Sequence, residues 1–323
     1  MQSKRRRDCA VVACAVMLIL ALSTCFRVAA QSKAKEKQEI ASGTPVLWRE
    51  PSDIASRDLF LGPGGSAMQP DLSSLTFVKE ETGGYSTKYR VRDAAGREWV
   101  AKIGKEAQAE TAAVRLLWAV GYYTEINYLA PRATIPTKGT FENVRFEARP
   151  DYIKRLDEWK WKKNPFAWSK EMQGLIVMMA LFNNWDIKDT NNKILQVRGE
   201  QSGRPELRYI ISDLGASFGK VKLDVPGFWR LARSRNKPDD YRNSGFVEDV
   251  KRGQVLFFYQ GKSQDLFDDI KVEEARWIGE WLARLSDRQI TDAFRAANYT
   301  PEEIQMLTQT VRSRINELNN LPR

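Results

Sequence analysis

An α+β fold of two lobes is predicted for this 323-residue chain by three features of its sequence. Three runs rich in Val, Phe, Tyr and Trp, separated by glycine-containing turns, read as an antiparallel meander between Leu75 and Ile103. One helical pattern follows directly. Beyond residue 150 the apolar spacing is mainly helical, interrupted by two short strands that flank polar, Asp- and Asn-rich loops. With 42% hydrophobic and 28% charged residues, the composition is that of a globular protein able to bury a core.

The amino terminus reads as an export signal. Lys4 to Arg7 are basic, Ala10 to Leu22 are apolar, and Val28-Ala29-Ala30 offers a small-residue cleavage site before Gln31. Residues 1–30 are therefore expected to be removed near Ala30, leaving a periplasmic or extracellular protein, with an uncleaved signal anchor as the alternative. The apolar run is too short and wrongly flanked for a membrane span, so no stable span is expected in the mature chain. Lipidation at Cys25 fits less well, because Thr24 is bulky for the preceding position.

Cys9, Cys14 and Cys25 all fall in this segment, so the mature chain has no disulfide and no cysteine-ligated metal. The sequence also contains no histidine. That removes Ser-His-Asp and Cys-His nucleophilic schemes, His-ligated zinc and imidazole bases. Acid–base work must fall to Asp, Glu, Lys or Tyr. Loss of five bases and one acid with the signal lowers the net charge from +10 to about +6. This modest excess suits an anionic ligand such as a nucleoside triphosphate and gives no reason to expect nucleic acid.

Residues 31–58 are polar and mixed in charge, and are expected to form a flexible tether. Residues 59–150 form the expected first lobe. Its strands are Leu75–Glu80, Lys88–Arg92 and Glu98–Ile103, with turns at Gly83-Gly84 and at Asp93-Ala94-Ala95-Gly96. Alternation sets Lys102 opposite in facing to Ala101 and Ile103. A helix follows with Glu110 in its first turns and Gly121 as its stop. Tyr128 to Arg149 reads as strands and a connector.

Residues 151–323 form the expected helical second lobe. Ile153 to Phe166 reads as an amphipathic connector whose tryptophans pack while its lysines stay in water. Lys170 to Asn184 is a buried helix, and Lys251 to Lys262 holds a buried element. Glu273–Leu285, Asp287–Ala297 and a Thr300-capped helix starting at Pro301 complete the lobe. Phe228 to Arg235, with three arginines, is a candidate substrate loop.

The chemistry concentrates in Trp185 to Asn192 (W-D-I-K-D-T-N-N) and Ile211 to Gly215 (I-S-D-L-G). The first offers an acid, a lysine at two and an asparagine at five. The second offers an acid at the end of an apolar strand. A hairpin joining the strands would gather Asp186, Asn191 and Asp213 at one edge, where carboxylate and amide oxygens can share a hard cation.

This order resembles the kinase-like superfamily, in its atypical branch. It is similar to phosphoinositide-kinase-like and bacterial toxin–antitoxin kinase-like proteins, here as an exported bacterial member, over roughly Leu75 to Gly219. The resemblance implies a bilobal protein-kinase-like fold with Lys102 on the nucleotide phosphates and Glu110 as its partner. It further implies Gly83, Gly84 and Ser86 in the glycine turn, Asp186 as catalytic acid or base, and Lys188 against the transferring phosphate. Asn191 and Asp213 would bind the metal, with Asn192 as a competing ligand if the loop shifts by one residue. The cofactors implied are ATP and Mg²⁺ (or Mn²⁺).

Three departures point away from a regular protein kinase. Trp185 stands where a histidine precedes the catalytic Asp, the glycine loop is short, and only eight residues separate Lys102 from Glu110. The expected activity is phosphoryl transfer to an unidentified hydroxyl acceptor, whether protein, lipid, sugar or small molecule. The alternatives are a catalytically inactive pseudokinase or nucleotide-binding module, and a nucleotidyl (AMP) transferase on the same fold.

Overall fold

Among the described residues, burial begins at Leu47. In the computed structural model, Leu47 is buried and Trp48 packs edge-on against Trp277 and Trp281. Just before them β1 (Thr44–Val46) pairs in parallel with Glu206–Arg208. The tether expected over residues 31–58 is thereby corrected: from Thr44 onward the chain belongs to the compact unit Thr44–Arg323. A three-residue strand and one Leu-Trp pair are too short to show a period, so composition alone hid them. The structure describes residues 42–83, 86–198, 204–221 and 233–322; the expected signal segment, Gly84 and Phe228 to Ala232 lie outside them.

The architecture is mixed α+β, with an antiparallel sheet toward the amino terminus and a mainly helical part toward the carboxy terminus. The first sheet contains β2 (Thr76–Glu81), β3 (Lys88–Arg92), β4 (Glu98–Lys102), β5 (Asn127–Ile135) and β6 (Gly139–Ala148), in the order β2-β3-β4-β6-β5. The β3–β4 turn closes as Asp-Ala-Ala-Gly chemistry requires. Gly96 takes φ 81°, a left-handed value that suits glycine, and the Asp93 carboxylate accepts from the Arg97 N–H at 2.8 Å and the Trp99 indole at 3.0 Å. Pro131 lies in β5, where a missing N–H is tolerated because β5 is the sheet's edge.

Helix α1 (Glu106–Ala119) runs between β4 and β5, and Gly121 follows its end at φ 100°. The second sheet holds β7 (Lys154–Arg155), β8 (Asn192–Arg198) and β9 (Pro205–Ile211), in the order β1-β9-β8-β7. Trp159 and Trp161 of the connector are buried, and the Trp159 indole donates to the Ile210 carbonyl at 2.9 Å.

Helix α2 (Lys170–Leu181) is capped by Ser169, whose hydroxyl accepts the Met172 N–H. After it come α3 (Pro238–Arg242), the hairpin β10 (Val247–Lys251) and β11 (Gln254–Phe257), α4 (Val272–Ala283), α5 (Asp287–Arg295) and α6 (Pro301–Asn319). Helix α6 opens on a capping box between Thr300 and Glu303. No helix among the described residues is long and apolar enough to cross a membrane.

Candidate active site

Strand alternation in β4 gives Lys102 its direction. Trp99 and Ala101 enter the core of the first sheet, while Lys102 turns to the opposite face. Its ammonium is almost wholly buried and meets three carboxylates: Glu106 and Glu110 at 2.8 Å each, and Asp213 at 3.5 Å. The Lys102–Glu110 pair expected from sequence is thus formed across a short connection. Glu106 was not anticipated, although it lies one helical turn before Glu110 and four residues after Lys102.

The charges continue behind Glu110. Arg145 of β6 reaches Glu110 at 3.2 Å and Glu147 at 2.7 Å, and Glu147 also pairs with Arg149. Arg155 binds Glu125 at 2.6 Å and the Ser212 hydroxyl at 2.9 Å. Burial raises the Glu110 carboxyl above its ordinary range, against the pull of Arg145 and Lys102. Burial pushes Glu147 the same way, but Arg149, Arg145 and Arg155 together outweigh it and hold Glu147 well below the carboxylate range. Lys88, facing Lys102 across the β3–β4 ladder, is lowered by burial and then by the Lys102 charge.

The loop between α2 and β8 carries the other half of the site. Buried Arg314 on α6 donates to the Leu181 carbonyl at 2.8 Å and the Asn183 side chain at 2.9 Å, fixing the end of α2. Trp185 donates its indole N–H to the Ser234 carbonyl at 2.9 Å, and the Arg235 guanidinium lies 4.6 Å from its ring centroid. Arg235 also pairs with Glu106, so the described end of the candidate substrate loop contacts the Lys102 cluster. Asp186 is bracketed by Lys188 at 2.9 Å and Lys262 at 2.5 Å.

The β8–β9 pairing brings the expected metal ligands together. Asn192 stands opposite Ile211, and the Ser212 N–H donates to the Asn191 carbonyl at 2.7 Å, so Asn191 and Asp213 emerge at one end of the hairpin. Asn191 lines the cleft and gives its amide N–H to the Asp186 carbonyl at 2.7 Å. Asn192 is fully buried and donates instead to the Trp159 carbonyl at 3.0 Å, on the connector. Burial raises Asp213, but the Lys102 charge and the Gly215 N–H, donating at 3.0 Å, bring it below its ordinary value overall.

A metal would find the oxygen of the Asn191 amide, whose nitrogen is already committed, beside a carboxylate held ionised. That set fits a hard cation such as Mg²⁺, which takes one or two protein oxygens and completes its shell with phosphates and water. It is not an all-protein cage. No group of three or more His, Cys, Asp or Glu residues among those described could hold a metal.

The glycine turn contributes less directly. Ser86 donates its hydroxyl to Glu106 at 2.6 Å, and the Gly83 carbonyl lies 3.4 Å from the Lys88 ammonium. Neither Gly83 nor Ser86 is among the described residues lining the cleft.

Lys102, Glu110, Asp186, Lys188, Asn191 and Asp213 all line one cleft of about 580 Å³. Its described lining holds nine lysine or arginine side chains against five carboxylates. A larger cavity of about 860 Å³ shares Arg149 and Arg155 with it but contains none of those six residues. Size favours the larger space. Convergence of titratable groups and hard oxygen ligands favours the smaller, and chemistry needs the groups.

No protein-family model matches the sequence, and no curated protein matches it significantly. Among solved structures, the Helicobacter pylori proinflammatory kinase CtkA aligns over 78% of this chain and 97% of its own, at 12% identity and a TM-score of 0.48. The Rio2 kinase–ADP/Mg²⁺–phosphoaspartate complex from Chaetomium thermophilum aligns over 75% and 72%, at 14% identity and 0.32. The Golgi casein kinase with Mn/ADP bound aligns over 77% and 74%, at 9% identity and 0.35.

Proposed function

We propose that this chain is an atypical kinase-like phosphotransferase that moves the terminal phosphoryl group of a nucleoside triphosphate, ATP foremost, to a hydroxyl acceptor with Mg²⁺ or Mn²⁺. The observation that carries this reading is Lys102, buried and bound to Glu110 on its own lobe while reaching Asp213 at 3.5 Å, 111 positions away. That contact joins the phosphate-binding half of such a site to its metal-binding half.

In the reaction, the acceptor oxygen forms a bond to the terminal phosphorus as the bond from that phosphorus to the β–γ bridging oxygen breaks. The diphosphate leaves with that electron pair. The hydroxyl proton passes to Asp186, late in a loose transition state where orientation matters more than basicity. Lys102 holds the non-transferring phosphates, oriented by Glu110. Lys188 lies against the phosphoryl group. The metal, bound by Asn191 and Asp213, would neutralise charge on the phosphates.

Calorimetric titration of Mg–ATP into the purified protein tests this. Asp213→Ala is expected to abolish metal-dependent nucleotide binding while the circular dichroism spectrum stays unchanged; undiminished affinity in that variant would sink the metal assignment. A binding module without turnover is the second reading, favoured by the two ammonium groups that already occupy both oxygens of the Asp186 carboxylate, where an acceptor hydroxyl would have to bind. It predicts nucleotide binding with no phosphoryl or nucleotidyl adduct detected by mass spectrometry.

A further inference from the structure

Lys262 follows the β10–β11 hairpin, in a stretch where sequence reading finds only a buried element. Three hydrogen bonds stitch this segment to the loop that bears Asp186, and a fourth contact closes the segment on itself. The Lys262 N–H donates to the Trp185 carbonyl at 2.8 Å, and the Ser263 hydroxyl donates to the Ile187 carbonyl at 2.9 Å. The Tyr259 hydroxyl lies 2.8 Å from the Asn184 carbonyl and 3.1 Å from that of Lys262, with its ring stacked on Phe267 at 4.1 Å. The Lys262 backbone is therefore pinned to the Asp186 loop, while its side chain is 47% exposed.

The charge balance around the two ends of the cleft differs. Lys102 has three carboxylates around one ammonium, whereas Asp186 is one carboxylate between two ammonium groups, Lys188 on one oxygen and Lys262 on the other. One positive charge is left over at Asp186. Two cations on opposite oxygens of one carboxylate bracket the point where that carboxylate meets an acceptor hydroxyl. In-line transfer requires the phosphorus to lie about 3 Å from the same point.

We propose that Lys262 is a second phosphoryl-binding lysine, which with Lys188 forms a two-ammonium clamp on the terminal phosphoryl group of the bound triphosphate. This rests on the phosphotransferase reading above and extends it to a residue from a distant segment. The clamp recognises the third phosphate, so it discriminates a triphosphate from the corresponding diphosphate.

The test is calorimetry with the full protein and two probes, Mg–ATP and Mg–ADP, on the wild type, Lys262→Gln and Lys262→Arg. A lost charge-assisted contact lowers ATP affinity about ten- to a hundredfold, with ADP affinity held within about twofold. Lys262→Arg keeps the charge and restores most of the ATP preference. An unchanged ATP-to-ADP ratio in Lys262→Gln overturns the clamp, whether both affinities fall together, as a merely structural role requires, or neither falls. A wild-type protein that binds neither nucleotide overturns the phosphotransferase reading itself, and the clamp with it.

Discussion

The two ends of the cleft hold charge in opposite ways. Beneath the first sheet, Lys102, Glu110, Arg145 and Glu147 are nearly inaccessible and pair with one another at 2.7–3.2 Å. Around Asp186 the carboxylate is 17% exposed, and its lysines, at 42% and 47%, stand half in water. Buried charges must be matched before any ligand arrives, because each unpaired one is costly to desolvate. Half-exposed lysines can exchange water or a carboxylate for an incoming anion at little cost. The first region fixes a geometry; the second stays accessible to water.

Breaking the buried end should have the largest effect. Lys102→Met leaves Glu106, Glu110 and Asp213 without their shared cation and is expected to destabilise the fold by about 3–5 kcal/mol, read as a fall in the urea midpoint. The matching change at the open end, Lys188→Ala, should cost no more than about 1 kcal/mol. Equal losses would erase the distinction between the two regions.

Acid should act on the buried end. Glu147 is held below its ordinary value, so its contribution to stability is fully present above about pH 4.5 and lost as pH falls toward its folded value. Glu110, raised by burial, works in the opposite direction. Glu147→Gln is therefore expected to flatten the loss of stability below pH 4.5, followed by thermal melts across a pH series. An unchanged acid limb would remove Glu147 from the account.

Ser86→Ala is the subtler probe. It deletes one hydroxyl donor to Glu106 and is expected to cost about 1.5 kcal/mol, read as a small fall in the urea midpoint; an unchanged midpoint would contradict the contact.

How much of this could be read from the chain follows from geometry. Lys102 was legible because a strand alternates, and Asp186, Lys188 and Asn191 because their spacing lies within one short loop. Asn191 could not be told from Asn192, since the intervening 3₁₀ turn at Asp189–Asn191 sets which amide faces the cleft. Arg145 and Glu147 alternate with Val144, Phe146 and Ala148 as on a strand with one solvated face, and only tertiary packing buries that polar face as well, so their place in the cluster was hidden. Lys262 meets Asp186 only through tertiary packing of the hairpin's exit, and no local pattern signals it. Glu106 was the avoidable omission, since a helix places it beside Glu110.

A crystal structure of the protein with Mg²⁺ and a non-hydrolysable ATP analogue tests the central claim most directly. Phosphate oxygens within hydrogen-bonding reach of Lys102, with the metal on Asn191 and Asp213, are the predicted result. An analogue seated instead in the larger cavity of about 860 Å³, or a metal bound away from both side chains, would contradict it.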